Sequence, residues 1–260
     1  MIDFGIAGKT ALVCASSKGL GFGCAQALAR AGVDIVMCAR TAETLEAAAQ
    51  VIRDETGVSV QAVACDITTK DGRNAALDTA GQIDILVNNA GGPPPGNFRD
   101  WSRDDLMNAI EANMLTAFEL IKAVVDPMIE RKFGRIVNIT SGSVKSPIPA
   151  LGLSNGARAG LTGLVAGIAR EVAAHNVTIN GLLPGQFNTD RIETLIANSA
   201  KTQNISKPEM RQILEERNPA KRLGDIDEFG MACAWLCAAQ SGYITGQNIL
   251  MDGGAFNATL

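Results

Sequence analysis

No apolar run in the 260-residue sequence is long enough to cross a bilayer; the densest cluster, 231–239, falls well short of the roughly 20 residues a spanning helix needs. The opening stretch, MIDFGIAGK, lacks a basic region followed by a long apolar segment, so no signal peptide is expected and the chain is read as cytoplasmic. Positive charge is not in excess either. The formal net charge of −4 argues against a nucleic-acid or anionic-membrane partner. The six cysteines (Cys14, Cys24, Cys38, Cys65, Cys233, Cys237) sit mostly inside apolar strand or helix patterns and lack metal-ligand spacing, which predicts buried free thiols and no metal site. Histidine is limited to His175, between a helix end and a strand start, where a surface residue satisfying the helix dipole is expected. There is one tyrosine, Tyr243, near the C-terminus. Linkers rich in proline and serine are absent, and no charge block interrupts the chain, so 1–260 is read as a single domain.

What is present is an alternation of strand-like and helix-like segments. Apolar runs at 11–14, 35–39, 58–65, 83–87, 135–139, 177–183 and 248–251 predict strands. Helical spacing over 20–30, 41–55, 70–81, 102–131, 155–174 and 227–239 predicts the helices between them, with Thr41 as an N-cap and Gly57 as a stop. The stretch 88–96, with its glycines and prolines, is expected to hold no regular structure. The segment 186–224 is polar and helix-prone without a clear strand, and is read as an insertion over the site. Strands separated by helices pair in parallel. The predicted fold is therefore α/β: a doubly wound, Rossmann-type parallel sheet of about seven strands with helices on both faces. Such sheets bind ligands beyond the strand C-termini, where strand order reverses. The turns after Cys14, Ala39, Cys65, Val87, Ile139 and Leu183 should meet there.

The first of those turns carries the strongest local signal. An apolar strand runs into small polar residues, then Gly19-Leu20-Gly21, and then a helix with Leu20, Cys24 and Leu28 at i, i+4, i+8. Strand, glycine turn and helix in that order make a phosphate site, because the helix N-terminus offers unpaired N–H groups and glycine lets the backbone approach an anion.

Together these turns resemble the short-chain dehydrogenase/reductase family over nearly the whole chain, with the flavour of its 3-oxoacyl-carrier-protein reductase branch. The family's glycine motif falls on 14–21, placing Ser16, Ser17, Lys18, Gly19, Leu20 and Gly21 against the cofactor, with Ala15 where the first glycine is usual. Asp66 and Ile67 follow the third strand. The Asn-Asn-Ala-Gly signature is intact at Asn88, Asn89, Ala90 and Gly91, and the nicotinamide loop falls on Pro184, Gly185 and Thr189. The tetrad asparagine is Asn113, and the tail from Tyr243 to Gln247, followed by Asp252-Gly253-Gly254, is also typical. The resemblance implies a nicotinamide cofactor and a homotetramer with the 155–174 helix and the tail near Tyr243 at interfaces. NAD-users of this fold put an acid at the end of the second strand to hold the ribose 2′-hydroxyl. Here Ala39 stands there, Arg40 follows, and Lys18 precedes Gly19, so two cations suit a 2′-phosphate and NADP(H) is expected.

The pattern breaks at the chemistry. Ser141 holds the place of the family's serine, but Ser154 stands where the tyrosine acid/base belongs and Arg158 where the lysine belongs. A phenol pulled down by a cation exchanges protons near neutral pH; an aliphatic hydroxyl does so far less readily, and arginine stays protonated. Lys145, in the loop after Ser141, is the nearest unassigned acid. The leading expectation is an NADP(H)-dependent reductase of a carbonyl-type small molecule, with the proton from water, Lys145 or the substrate. A non-redox lyase or hydratase using Ser141, Asn113 and Arg158 is the second, and a non-catalytic NADP-binding protein the third. Gln186, Phe187, Leu195, Ile196 and Met210 suggest a partly apolar ligand under the 186–224 segment.

Overall fold

The computed structural model describes residues 3–258. Seven strands form one parallel sheet in the order β3-β2-β1-β4-β5-β6-β7. They are β1 (Thr10–Cys14), β2 (Asp34–Ala39), β3 (Val60–Ala64), β4 (Ile85–Asn88), β5 (Gly134–Ile139), β6 (Val177–Pro184) and β7 (Asn248–Met251). The order reverses between β1 and β4, where Ala11, Leu12 and Val13 pair with Ile85, Leu86 and Val87. Each central strand is buried on both faces, which is why these runs are continuously apolar rather than alternating.

Helices cover the two faces. On one face α1 (Gly19–Arg30), α2 (Ala42–Thr56) and α9 (Ile226–Cys237) pack with Leu28, Leu45, Ile52 and Phe229 buried. On the other lie α3 (Lys70–Ala80), α5 (Thr116–Glu130) and α6 (Gly152–Val172), with Leu120, Val124 and Leu161 buried. Burying each such side chain is worth roughly 1.5–3 kcal/mol, and these two layers are the core. α1 and α9 meet with almost no space between them. A Cβ on Gly23 would lie 2.5 Å from the Ile226 carbonyl oxygen, and one on Gly230 would fall on the Gly23 carbonyl. Cys14 and Cys38 are register partners on β1 and β2; all six cysteines are free thiols, and only Cys65 is not buried.

Three differences from the sequence reading matter. Asn88 closes β4 instead of opening the loop, because its side chain pairs across the sheet with Asn138 of β5 at 2.9 Å. The helix over 102–131 is interrupted: α4 (Arg103–Ile110) runs through a π-helical turn, Glu111–Leu115, into α5. Segment 186–224 holds α7 (Asp190–Gln203) and α8 (Lys207–Arg217); a bridge between Phe187 and Gly224 closes its base, and Asn218 and Ala220 bond the Asp252 and Gly253 carbonyls after β7. Its apolar residues mostly face one another: Ile192, Ile196, Met210 and Leu223 form a small core, and Phe187 packs edge-on against Phe229 at 5.2 Å. Of the residues named for a partly apolar ligand, Ile196 and Met210 belong to that small core, Leu195 is exposed, and Gln186 and Phe187 line a second cavity with Leu250 and Met251. Among the described residues no helix is long and apolar enough to cross a membrane.

Candidate active site

The turn after β1 is built for close approach. Ala15 sits in the left-handed region (φ 47°), as does Gly19 (φ 61°). A Cβ on Gly21 would collide with the Ala15 carbonyl, which instead accepts a hydrogen bond from Asn89 Nδ2 at 3.3 Å. That bond crosses the point where strand order reverses, joining the β1 and β4 turns. Ser16 is buried and spends its hydroxyl on the Val13 carbonyl at 2.8 Å, so it shapes the turn from within. Ser17 and Leu20 are half-buried at its rim. A left-handed alanine costs roughly 1–2 kcal/mol, partly offset by the lower chain entropy of alanine than of glycine. Ala15→Gly is therefore expected to stabilise the protein by about 0.5–1 kcal/mol, read as a rise in the midpoint of a urea unfolding curve. A lower midpoint would mean the turn relaxes around Ala15.

The two cations expected at the ribose are placed differently. Arg40 is exposed, with no ion pair among the described residues. The Lys18 ammonium pairs at 2.6 Å with Asp190, the first residue of α7. Asp66 turns inward to Thr68, accepting from its hydroxyl at 2.7 Å and its backbone N–H at 3.0 Å. Those bonds, foremost the hydroxyl, hold its carboxyl below the usual range, and the Arg40 charge lowers it further. Ile67 beside it is buried. Thr189 packs against the turn after β1, with Cγ2 3.5 Å from where a Gly19 Cβ would stand, and Gly185 presses against Asp252 behind Pro184.

At the C-terminal ends of β4 and β5, Ser154 and Arg158 are both buried one turn apart on α6. Arg158 Nε donates to Ser154 Oγ at 3.1 Å. Its Nη1 donates to the Ile139 and Thr140 carbonyls at 2.9 and 2.6 Å, and Nη2 reaches the Ala90 carbonyl at 3.5 Å. No carboxylate pairs with it among the described residues. Burial, followed by the nearby Arg191 charge, brings Arg158 down to about 10, so it stays cationic at neutral pH. Ser141 accepts from the Ser143 N–H at 3.1 Å and caps the short turn that follows, the capping role open to it from its position. Lys145 ends that turn exposed, its ammonium 5.9 Å from the centre of the Phe256 ring.

Asn113 lies within the π-helical turn, which brings its side chain inward. Its Nδ2 donates to the Gly91 and Ala109 carbonyls at 3.3 and 3.4 Å, and its buried Oδ1 has no partner. Asn113 and Leu153 line a cavity of about 430 Å³ walled by the 91–97 loop and Trp101. Trp101 wedges between two glycines: its indole lies 2.7 Å from where a Gly96 Cβ would be and 2.5 Å from one on Gly152. Trp101 and Arg191, whose guanidinium abuts Gly92, were both missed from sequence. A tryptophan beside a Gly/Pro loop and a cation two residues past Thr189 were the available signals.

A parallel sheet with a glycine turn opening α1 at its switch point is the dinucleotide-binding doubly wound fold. Comparison with known proteins narrows that class. The family model described as enoyl-(acyl carrier protein) reductase matches residues 14–255. The chain is 32% identical over 255 residues to gluconate 5-dehydrogenase of Gluconobacter oxydans, covering 96% of both chains. It is 34% identical over 255 residues to a 3-oxoacyl-[acyl-carrier-protein] reductase of Vibrio cholerae, covering 96% of this chain and 98% of the relative. The L-sorbose reductase of Gluconobacter frateurii, solved with NADPH and L-sorbose, superposes with a TM-score of 0.94 at 28% identity, covering 99% and 100% of the two chains. The chain belongs to the short-chain dehydrogenase/reductase family.

Proposed function

We propose that this protein is an NADP(H)-dependent oxidoreductase that reduces a small carbonyl compound with a serine–arginine pair in place of the family's tyrosine and lysine. In this reading 1–260 is one dinucleotide-binding unit, with 186–224 as the cover over its substrate. Ser17, Lys18, Gly19, Leu20 and Gly21 would hold the phosphates, Arg40 with Lys18 the 2′-phosphate, and Asp66 with Ile67 the adenine side. Asn89, Ala90, Gly91, Pro184, Gly185 and Thr189 would hold the nicotinamide half. The fit rests on the cradle after β1, where a side chain on Gly21 would fill the space against Ala15 and Asn89. Similarity to reductases solved with NADPH supports the cofactor. When bound, it supplies the hydride.

The observation that carries the chemistry is the Arg158 Nε bond to Ser154 Oγ. A hydroxyl that accepts from a cation has its own proton left to donate, and donates it more strongly. Ser154 would bind the substrate oxygen, and Arg158 would stabilise the negative charge that develops there. Ser154 is too weak an acid to give up its proton outright, so the final proton comes from water through this hydroxyl. Asn113 Oδ1, free of protein partners, can hold such a water. Ser154→Ala is expected to lower kcat about a hundredfold, the effect of losing one oxyanion donor. Absorbance at 340 nm with a carbonyl panel measures it; unchanged turnover would remove Ser154 from the chemistry.

One observation favours a second reading, an NADP-binding protein without turnover. Arg158 spends most of its donors on main-chain carbonyls, as does the buried Arg135 at the opposite end of β5, which bonds the Ala238, Asn176 and Gly134 carbonyls. Tight NADPH binding with no turnover across the panel would select that reading.

A further inference from the structure

We infer that the cavity of about 430 Å³ beside the 91–97 loop binds an organic ammonium ion, held by Asp100, Asp105 and Asn113. The inference stands apart from the reductase reading, because it concerns binding and not turnover. Among the described residues the only charged groups in the lining are Asp100 and Asp105. Neither is in an ion pair. Asp105 gives Oδ2 to its capping box with Ser102, accepting from the hydroxyl at 2.7 Å and the backbone N–H at 2.8 Å. Those bonds, foremost the hydroxyl, hold its carboxyl below the usual range, so it is charged at neutral pH. Exposed carboxylates alone call for no ligand, since water serves them. Asn113 is different. It is 6% exposed, its Nδ2 is spent on the Gly91 and Ala109 carbonyls, and its Oδ1 has no partner. A buried acceptor without a donor is costly, so this atom calls for one from the cavity it lines.

An ammonium supplies both missing things, N–H donors for the amide oxygen and positive charge for the carboxylates. The walls make the cation organic. Pro93, Pro94, Pro95, Trp101 and Leu153 give the cavity an apolar side, and a tryptophan face attracts cations. Among the described residues no group of three or more His, Cys, Asp or Glu could hold a metal ion. At the opposite rim the Arg191 guanidinium abuts Gly92, with Nη1 2.7 Å from where a Cβ would stand. Arg158 stands deeper, behind the Ala90 carbonyl. Those charges bar a second ammonium on that side, so the ligand is a monocation with an apolar body. Asn113 Oδ1 is also the atom that can hold the water described above. Where the reductase reading holds, a separate amine bound there would displace that water and slow turnover.

Benzylamine and benzyl alcohol share a shape and differ in charge, and calorimetry on the full chain compares them. Wild-type protein should bind the amine about fivefold more tightly or better at low ionic strength, and the margin should shrink with added salt. Asp100→Asn should lose most of that preference, and Asp100→Asn with Asp105→Asn all of it. Asp104→Asn, an exposed neighbour outside the lining, should keep it. Equal binding of the two probes by wild-type protein would overturn the proposal. So would a preference that survives the double substitution, or one lost equally in Asp104→Asn, which would trace it to the negative surface at large. Turnover with NADPH at 340 nm then identifies the source of the ammonium. A lower KM for α-aminoacetophenone than for acetophenone, lost in Asp100→Asn, places it on the substrate. Slower reduction of acetophenone in the presence of benzylamine, without that KM advantage, places it on a separate ligand. Selective amine binding with neither ketone reduced would count against the reductase reading and leave the site standing.

Discussion

Lys18→Ala combined with Arg40→Asp is expected to weaken NADPH about a hundredfold while leaving NADH within a few fold. A hydrogen bond to a charged group is worth roughly 1.5–3 kcal/mol, and each 1.4 kcal/mol is tenfold in affinity. Two such contacts would give between a hundredfold and ten-thousandfold. The lower end applies because both side chains are exposed, and Lys18 must leave Asp190 to reach a phosphate. That competing pair is itself worth little, as exposed ion pairs generally are. The aspartate introduced at position 40 adds repulsion against the 2′-phosphate and an acceptor for a plain 2′-hydroxyl. Fluorescence titration with both cofactors separates the cases. Equal weakening of NADPH and NADH would place the 2′-phosphate elsewhere.

Arg158→Met should lower stability by about 2–4 kcal/mol, a drop in Tm of roughly 5–15 °C for a chain of this size. Two opposing terms set that figure. Removing the buried guanidinium strips donors from the Ile139 and Thr140 carbonyls, at roughly 1–3 kcal/mol for each buried acceptor left unpaired. Relief of the guanidinium's own desolvation refunds part of it, which is why buried charges can sometimes be replaced without loss. Here the refund is the smaller, since the acceptors are main-chain groups that the substitution leaves in place. Arg158→Lys keeps the charge but not the planar fork, and should fall between. Thermal unfolding followed by circular dichroism measures all three proteins. A variant as stable as wild type would mean that water reaches these carbonyls, leaving Arg158 free for a purely catalytic part.

The layout of this molecule was largely written in its hydrophobic pattern. Seven apolar runs became seven strands, and the turns after β1, β4, β5 and β6 gather where the reversal of strand order puts them. What escaped were features set by side-chain geometry at long range. Nothing in Glu111–Leu115 announces a π-helical turn, because its composition suits an ordinary helix, and the Asn113 bond to the Gly91 carbonyl joins residues 22 apart. Lys18 looked free for a phosphate; its pairing with Asp190, 172 residues away, depends on how α7 docks. The missing tyrosine was visible by counting, whereas the carbonyls that fill Arg158's donors were not. That Ile196 and Met210 fill a local core while Gln186 and Phe187 line a cavity could not be told from composition, because a local core and a binding surface share one composition.

The meeting of α1 and α9 at Gly23 and Gly230 divides the molecule by what it can tolerate in descent. Two backbones in contact leave no room for even a methyl group at either position. A side chain there would lever α1 off the sheet and drag the turn after β1 with it. The α1–α9 joint is thus locked into one form, with no larger residue fitting at either glycine. The 186–224 segment carries its own small core and meets the rest through a few contacts, Lys18 with Asp190, Phe187 with Phe229 and Asn218 with the Asp252 carbonyl, so it can be recut with less disturbance of the sheet. Change would then fall on α7 and α8 while the α1–α9 joint stays fixed.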